Sequence, residues 1–443
     1  MKTSLDLARD RKLLKRRASL LYLWLIEAFK AIIISKKCRK RKRPYYVRPI
    51  NISRSVTSEF YLLVNDFYEF REAEGHHEYF RMDIGRINYL LTRVKLRLTH
   101  RKTYALPISA GFRLAFTLKV LASGDSWKNT AKSYRIGYQT ACNIIYETCD
   151  ALWEILQPEF LALPTEQEWT RVANDFWERW QFPLCLGAID GKHVVIKKPE
   201  RAGSAFFNYK RNHSIVLMAV VDSRYSFLYV DIGAYGRNSD GGVFGQSSLG
   251  KALINETLNP LKIPGFATLP GTATICPHVF IGDDAFPIGE HLLKPFGGKK
   301  RDRSQRLFDY CLSRARGVVE CAFGALVARW RILHQPLQCS SGNAVRIVKA
   351  VVVLHNFLRK TDSSLPPEDM YIPPNALYYA DDASGIIREG ALQHCVPPDP
   401  ALARMRTLKN KCVYGKRVRD RFKDFFVSRV GSIPWQDRVI SFT

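Results

Sequence analysis

The chain has 443 residues, with 68 Lys and Arg against 41 Asp and Glu, a formal net charge of +27. A hydrophobic fraction of 46% with 25% charged residues excludes a disordered chain, and the length is that of two or three domains with a substantial core. The cation excess points to a polyanionic partner, nucleic acid first and an anionic membrane surface second.

About half of the excess charge lies at the start, where residues 1–50 hold 16 basic and 3 acidic side chains. An apolar run at 18–34 contains Glu27 and Lys30 and falls short of the roughly 20 apolar residues that span a bilayer, so it reads as an amphipathic helix and a membrane role is disfavoured. The run KKCRKRKR at 36–43 has the density of a nuclear-import or phosphate-binding patch, which predicts a nuclear protein with a cytoplasmic pool. Ten cysteines are scattered without a CxxC pair, which predicts a reducing compartment and neither a zinc ribbon nor a disulfide framework. Pro44 and Pro49 predict an extended linker over 44–58, closing a first segment at residues 1–58.

Residues 59–179 return to helical spacing. Gly124 can end one helix and Asp125 or Ser126 can cap the next, before a tight turn at Arg135, Ile136 and Gly137 leads into a longer helix near Gln139. That order matches a helix-turn-helix, with Gln139, Thr140 and Asn143 placed to reach base edges. It equally matches an ordinary three-helix packing unit, and both readings stay open.

After Trp180 the period changes. LCLGAID, HVVIKK, SIVLMAVVDS and FLYVDIGAY predict consecutive strands, and VFIGDDAF adds another. From Arg303 helical spacing resumes, with Leu307, Cys311, Ala315, Val318, Ala322 and Leu326 as the buried stripe and Arg316 and Glu320 on a different one. Asp190 ends the first of these strands, Asp283 ends the strand at VFIG, and Glu320 lies in the long helix. Three carboxylates in three settings are what a two-metal phosphodiester enzyme requires, since two divalent ions clamp the attacking and leaving oxygens. From the residues alone Asp284, Asp222, Asp231 and Asp240 remain rivals. Lys192, His193, Lys197 and Lys198 follow Asp190 and are candidate phosphate contacts, as is Arg316, which can instead pair with Glu320 one turn on. His355 and Asn356 end an apolar helix and read as buried hydrogen-bonding groups.

GAIDGKHVVI, AVVDSRYSFLYVDIGAYGRNSDGGVF, VFIGDDAFPI, RGVVECAFGALVARWRIL and VVVLHNFLRK, in this order, resemble the nuclease domain of PIF/Harbinger transposases and their domesticated descendants. The resemblance implies an α/β, ribonuclease H-like fold over 180–360, a mixed sheet flanked by helices and preceded by the helical region. It assigns catalysis and metal binding to Asp190, Asp283 and Glu320, with two Mg2+ or Mn2+ ions and DNA as substrate. It also implies a Myb-like partner for DNA recognition and nuclear entry, and a homodimer. Descendants of this family include both nucleases and proteins that bind DNA or chromatin without cutting. Residues 361–443 read as a proline-rich connector and a basic tail from Arg404.

Overall fold

The computed structural model describes residues 21–27, 29–30, 47–64, 66–67, 73–100, 107–255, 258–298, 300–362, 372, 379–380, 387–388 and 409–435. The basic run at 36–43 and nearly all of the proline-rich connector lie outside them. Residues 1–53 and 54–443 are separate units. In the first, residues 21–27 and 29–30 are helical, and Tyr22, Trp24 and Phe29 are each more than half exposed. Among the described residues no helix is long and apolar enough to cross a membrane.

The linker expectation is corrected where it can be tested. Pro49–Ile52 and Arg54–Thr57 are single helical turns, followed by a π-helical Phe60–Val64. Proline near a helix start has no N–H to forfeit and its φ already suits the helix, so Pro49 begins a turn instead of preventing one.

The second unit opens with helices α1 (Ala73–Phe80), α2 (Ile84–Leu98), α3 (Ala110–Ser123), α4 (Trp127–Ser133), α5 (Tyr138–Phe160) and α6 (Glu166–Trp180). Their starts follow from side-chain caps: Asp83 accepts the Arg86 N–H and Thr165 forms a capping box with Glu168. Gly124 ends α3 at φ 70, and a Cβ there would lie 2.6 Å from the Arg331 carbonyl oxygen, so no larger residue fits. The helices α4 and α5 with the turn between them reproduce the predicted helix, turn, helix order. α5 also packs along α10 (Ser341–Thr361), which ties the helical region to the remainder of the unit.

The sheet has five strands in the order β3-β2-β1-β6-β7: β1 (Cys185–Val195), β2 (Ser214–Val221), β3 (Phe227–Tyr235), β6 (Val279–Ile281) and β7 (Leu292–Leu293). β2 runs antiparallel to both β1 and β3, while β6 is parallel to β1 and β7 to β6. The short pair β4 (Phe266–Thr268) and β5 (Ile275–Pro277) lies apart, and α7 (Asp240–Gln246) and α8 (Ser248–Asn255) follow β3. Every residue of β2 is buried, because helices cover both faces of a central strand. Ile215, Leu217, Ala219 and Val221 join the core on one face, and Val216, Met218 and Val220 join Trp169, Phe244, Phe280 and Phe286 on the other. Mixed sheet and flanking helices together are the architecture of a ribonuclease H-like fold.

α9 (Arg303–Arg329) starts at a capping box of Asp302 and Gln305, and all six residues of its expected stripe are buried. The basic tail departs from expectation. Lys409–Val427 forms α11, packed on α9, and its Phe422 and Phe426 are fully buried against Phe182 and Phe308. Basic composition hid an apolar stripe at helical spacing, Val418, Phe422, Phe425 and Phe426, which joins the main hydrophobic core.

Candidate active site

Register places the first two carboxylates. β1 and β6 are parallel with Ala188 opposite Ile281, so two residues further along Asp190 and Asp283 come level where β6 ends. From Ala188 onward the even residues of β1 share the core with α9, as Ala188 and Val194 do, and Asp190 therefore faces Arg316 and Glu320. Asp190 Oδ1 accepts the Gly191 N–H at 2.8 Å, and Asp283 Oδ1 accepts the Ala285 N–H at 2.9 Å. Asp283 is fixed just past the end of β6, whereas Asp190, expected to end a strand, lies inside β1, because LCLGAID and HVVIKK form one continuous strand paired with β2 through Val195. Asp284 projects elsewhere, 75% exposed and 3.0 Å from Lys294 Nζ. Asp222 closes a turn by accepting the Arg224 and Ser226 N–H groups, and Asp231 lines a groove with Tyr235 and Val345, so neither joins the cluster.

Arg316 is the cation among these acids. Its guanidinium hydrogen-bonds Glu320 Oε1, one turn along α9, and lies 3.7 Å from Asp190 Oδ2. Burial raises the Asp190 carboxyl, Arg316 pulls it down, and Asp283 and Glu320 push it up again, leaving it at about 7. Burial alone would lower the Arg316 pKa, but Glu320, Asp190 and Asp283 outweigh it and raise the guanidinium above its ordinary value. One guanidinium against three carboxylates leaves an excess of negative charge in a pocket where Asp190 is only 19% exposed.

Hard oxygen donors around a resident cation suit Mg2+ or Mn2+ by chemistry. Among the described residues, however, no three His, Cys, Asp or Glu side chains lie close enough to hold a metal ion as they stand. Arg316 holds the place between Asp190 and Glu320, and a metal ion would have to take over its contacts.

The remaining candidates distribute as follows. Lys192, on the face of Asp190, puts its ammonium 5.9 Å from the Phe323 ring centroid, next to Glu320 on α9. His193 points to the opposite face, with Nδ1 2.9 Å from Ser214 Oγ. Lys197 and Lys198 are exposed just beyond β1. Gln139 and Asn143 are exposed at the start of α5 and hydrogen-bond each other at 3.1 Å, away from the carboxylates on a helix that packs on α10, α3 and α4. His355 is buried, its Nε2 2.7 Å from the Tyr225 carbonyl oxygen, and Asn356 donates to Phe160 and Phe227 carbonyls while accepting the Phe227 N–H. Burial pushes the His355 imidazole down to about 3, which makes it a neutral structural group.

Asp240, the fourth rival, sits at the start of α7 and is buried behind β1, where a Cβ on Gly191 would come within 2.0 Å of its Oδ1, a contact that sequence reasoning missed. The tight SDGG turn after β3 was the available signal. It gave position in the chain but not the partner.

The DDE superfamily endonuclease family matches residues 189–356, a stretch containing Asp190, Asp283 and Glu320. The chain is similar to the ALP1-like protein of Arabidopsis thaliana, 27% identical over 294 residues, covering 64% of this chain and 70% of that one. It is also similar to the Arabidopsis protein named Antagonist of Like Heterochromatin Protein 1, at 25% identity over 63% of this chain and 72% of the relative. The rat protein named “Putative nuclease HARBI1” matches at 24% identity, over 61% and 73% respectively. No solved structure matches the chain significantly.

Proposed function

This chain belongs to the Harbinger transposase-derived nucleases of the DDE superfamily, and from that premise we propose that it cleaves DNA phosphodiester bonds at Asp190, Asp283 and Glu320 with divalent ions. The observation that carries the reading is the parallel register of β1 and β6, which levels two buried-edge aspartates opposite a glutamate on α9. In the reading, Asp190, Asp283 and Glu320 would hold Mg2+ or Mn2+, which would neutralise charge on the attacking and leaving oxygens. Arg316, released from Glu320 and Asp190, turns its guanidinium to a non-bridging phosphate oxygen. Lys192, beside Phe323, is placed to hold the same strand. Water attacks phosphorus and gives up a proton to solvent as the bond to the leaving oxygen breaks and that oxygen takes up a proton from solvent, and a strand 3′-hydroxyl in place of water would give strand transfer.

The net charge of +27 supports DNA as substrate, and we place the protein in the nucleus on the strength of its basic runs. By family resemblance we also propose a Myb-like partner and a working homodimer. A second reading is a descendant that binds chromatin and cuts nothing. It is favoured by the Arg316 guanidinium lodged among the carboxylates and by the relative whose name makes it an antagonist of a heterochromatin protein. Supercoiled plasmid nicking separates the two. The nuclease reading expects nicked circles with Mg2+ or Mn2+ and none with EDTA, while DNA binding without nicking under either ion supports the silent one.

A further inference from the structure

The connection from β1 to β2, residues 196–213, exceeds the roughly 12–15 residues beyond which a structureless loop inside a domain is uncommon and usually functional. Its base is fixed by backbone bonds from Lys197 N–H to the Leu337 carbonyl (2.9 Å) and from Ser214 N–H to the Phe206 carbonyl (2.8 Å). Buried Asn208 braces the tip, donating to Ser214 Oγ and accepting the Asn212 N–H. On this scaffold Phe207 and Tyr209 remain 42% exposed, although rings of this size normally bury themselves. Each makes a T-shaped pair with an imidazole, Phe207 with His213 at 5.3 Å and Tyr209 with His193 at 5.5 Å, which restrains the orientation of both rings.

Around the rings the loop is strongly basic. Lys197, Lys198, Arg201, Lys210 and Arg211 are all exposed, against Glu200 as the one acid of the loop. Arg201 and Arg211 hold left-handed backbone conformations (φ 58 and 61), uncommon for residues with a side chain and sustained by the surrounding turn. Exposed aromatic rings among cations, with Lys210 Nζ itself 5.2 Å from the Tyr209 ring centroid, are the chemistry of a surface that stacks unpaired bases while gripping their phosphates.

We propose that this loop is a stacking platform for unpaired DNA bases, with Phe207 and Tyr209 taking base faces and the flanking lysines and arginines the phosphates. The strand concerned rests on the nuclease reading; the binding itself does not. Tyr209 lies against His193, three residues along β1 from Asp190, about 10 Å at about 3.3 Å per residue and on the opposite face of the strand.

The test uses the full chain in EDTA, where cutting plays no part. Fluorescence anisotropy compares single-stranded DNA with blunt duplex, and a 2-aminopurine base is walked along the single strand to report stacking. Phe207→Ala and Tyr209→Ala are each expected to weaken single-strand binding roughly tenfold and to release 2-aminopurine quenching, with duplex binding unchanged and Tyr209→Phe behaving as wild type. Equal losses on both DNAs, no loss at all, a Tyr209→Phe defect as large as that of alanine, or tighter binding to RNA of the same sequence would each overturn the proposal. Nicking is scored separately with Mg2+. A protein that stacks bases but never nicks supports the platform and sinks the nuclease reading, whereas one that nicks without a single-strand preference sinks the platform alone.

Discussion

Replacing Arg316 tests whether it is the cation that keeps the acidic cluster together. In the metal-free protein its guanidinium answers three carboxylates, with direct contacts to Glu320 and Asp190. Removing one partner of a buried pair costs about 3–5 kcal/mol, because the other charge stays buried without compensation. Glu320 is 36% exposed and therefore partly screened, which brings the expectation for Arg316→Ala down to about 2 kcal/mol. For a unit this large that is a fall in melting temperature of about 2–4 °C. Differential scanning fluorimetry in EDTA reads it directly. The second arm is more specific: added Mg2+ should raise the melting temperature of Arg316→Ala more than that of wild type, since no guanidinium has to be displaced. Equal melting in EDTA together with equal Mg2+ shifts would refute the view of Arg316 as a resident cation.

Gly191→Ala places a methyl against Asp240 Oδ1 and should cost about 1–3 kcal/mol, with Asp240→Gly recovering part of the loss in a double-mutant melt; additive effects would show that the close approach is not what matters. Phe422→Ala should destabilise the whole unit by about 3–5 kcal/mol in urea, whereas a tail merely resting on the surface would lose almost nothing. His355 is neutral in the folded protein down to about pH 3 but protonates near 6.5 when unfolded, so its contribution to stability is complete above pH 6.5 and declines as pH falls from there. The stability gap between wild type and His355→Gln should therefore shrink on acidification, by at most about 1.4 kcal/mol per pH unit, and a gap constant from pH 7 to pH 4 would contradict the buried neutral assignment.

Parts of this structure could be read directly from the chain because periodicity and burial agree there. β2 is apolar throughout and β1 nearly so before Asp190, as strands covered on both faces must be, and the α9 stripe repeats at three and four residues with no break. Residue reasoning left Asp284 as a rival of Asp283 and the family motif chose between them; in the structure the two side chains part company. What stayed hidden depends on tertiary partners. An arginine one turn before a glutamate can face a ligand or pair with it, and spacing cannot choose between them; the structure pairs them. Basic composition masked Phe422 and Phe426 as core residues, and Pro49 looked like a helix breaker when its place at the start of a turn made it compatible. The FFNYKRNH run carried its aromatic and basic residues openly, but only the imidazoles paired with Phe207 and Tyr209 show the rings to be restrained.

The central claim is that Asp190, Asp283 and Glu320 form one metal-dependent cutting centre. The most direct measurement is plasmid nicking with Mn2+ by Asp283→Asn beside Asp284→Asn, two isosteric changes at adjacent positions, with both folds checked by thermal melt. Nicking lost with Asp283→Asn and retained with Asp284→Asn is the predicted result. Undiminished nicking by Asp283→Asn would contradict the account.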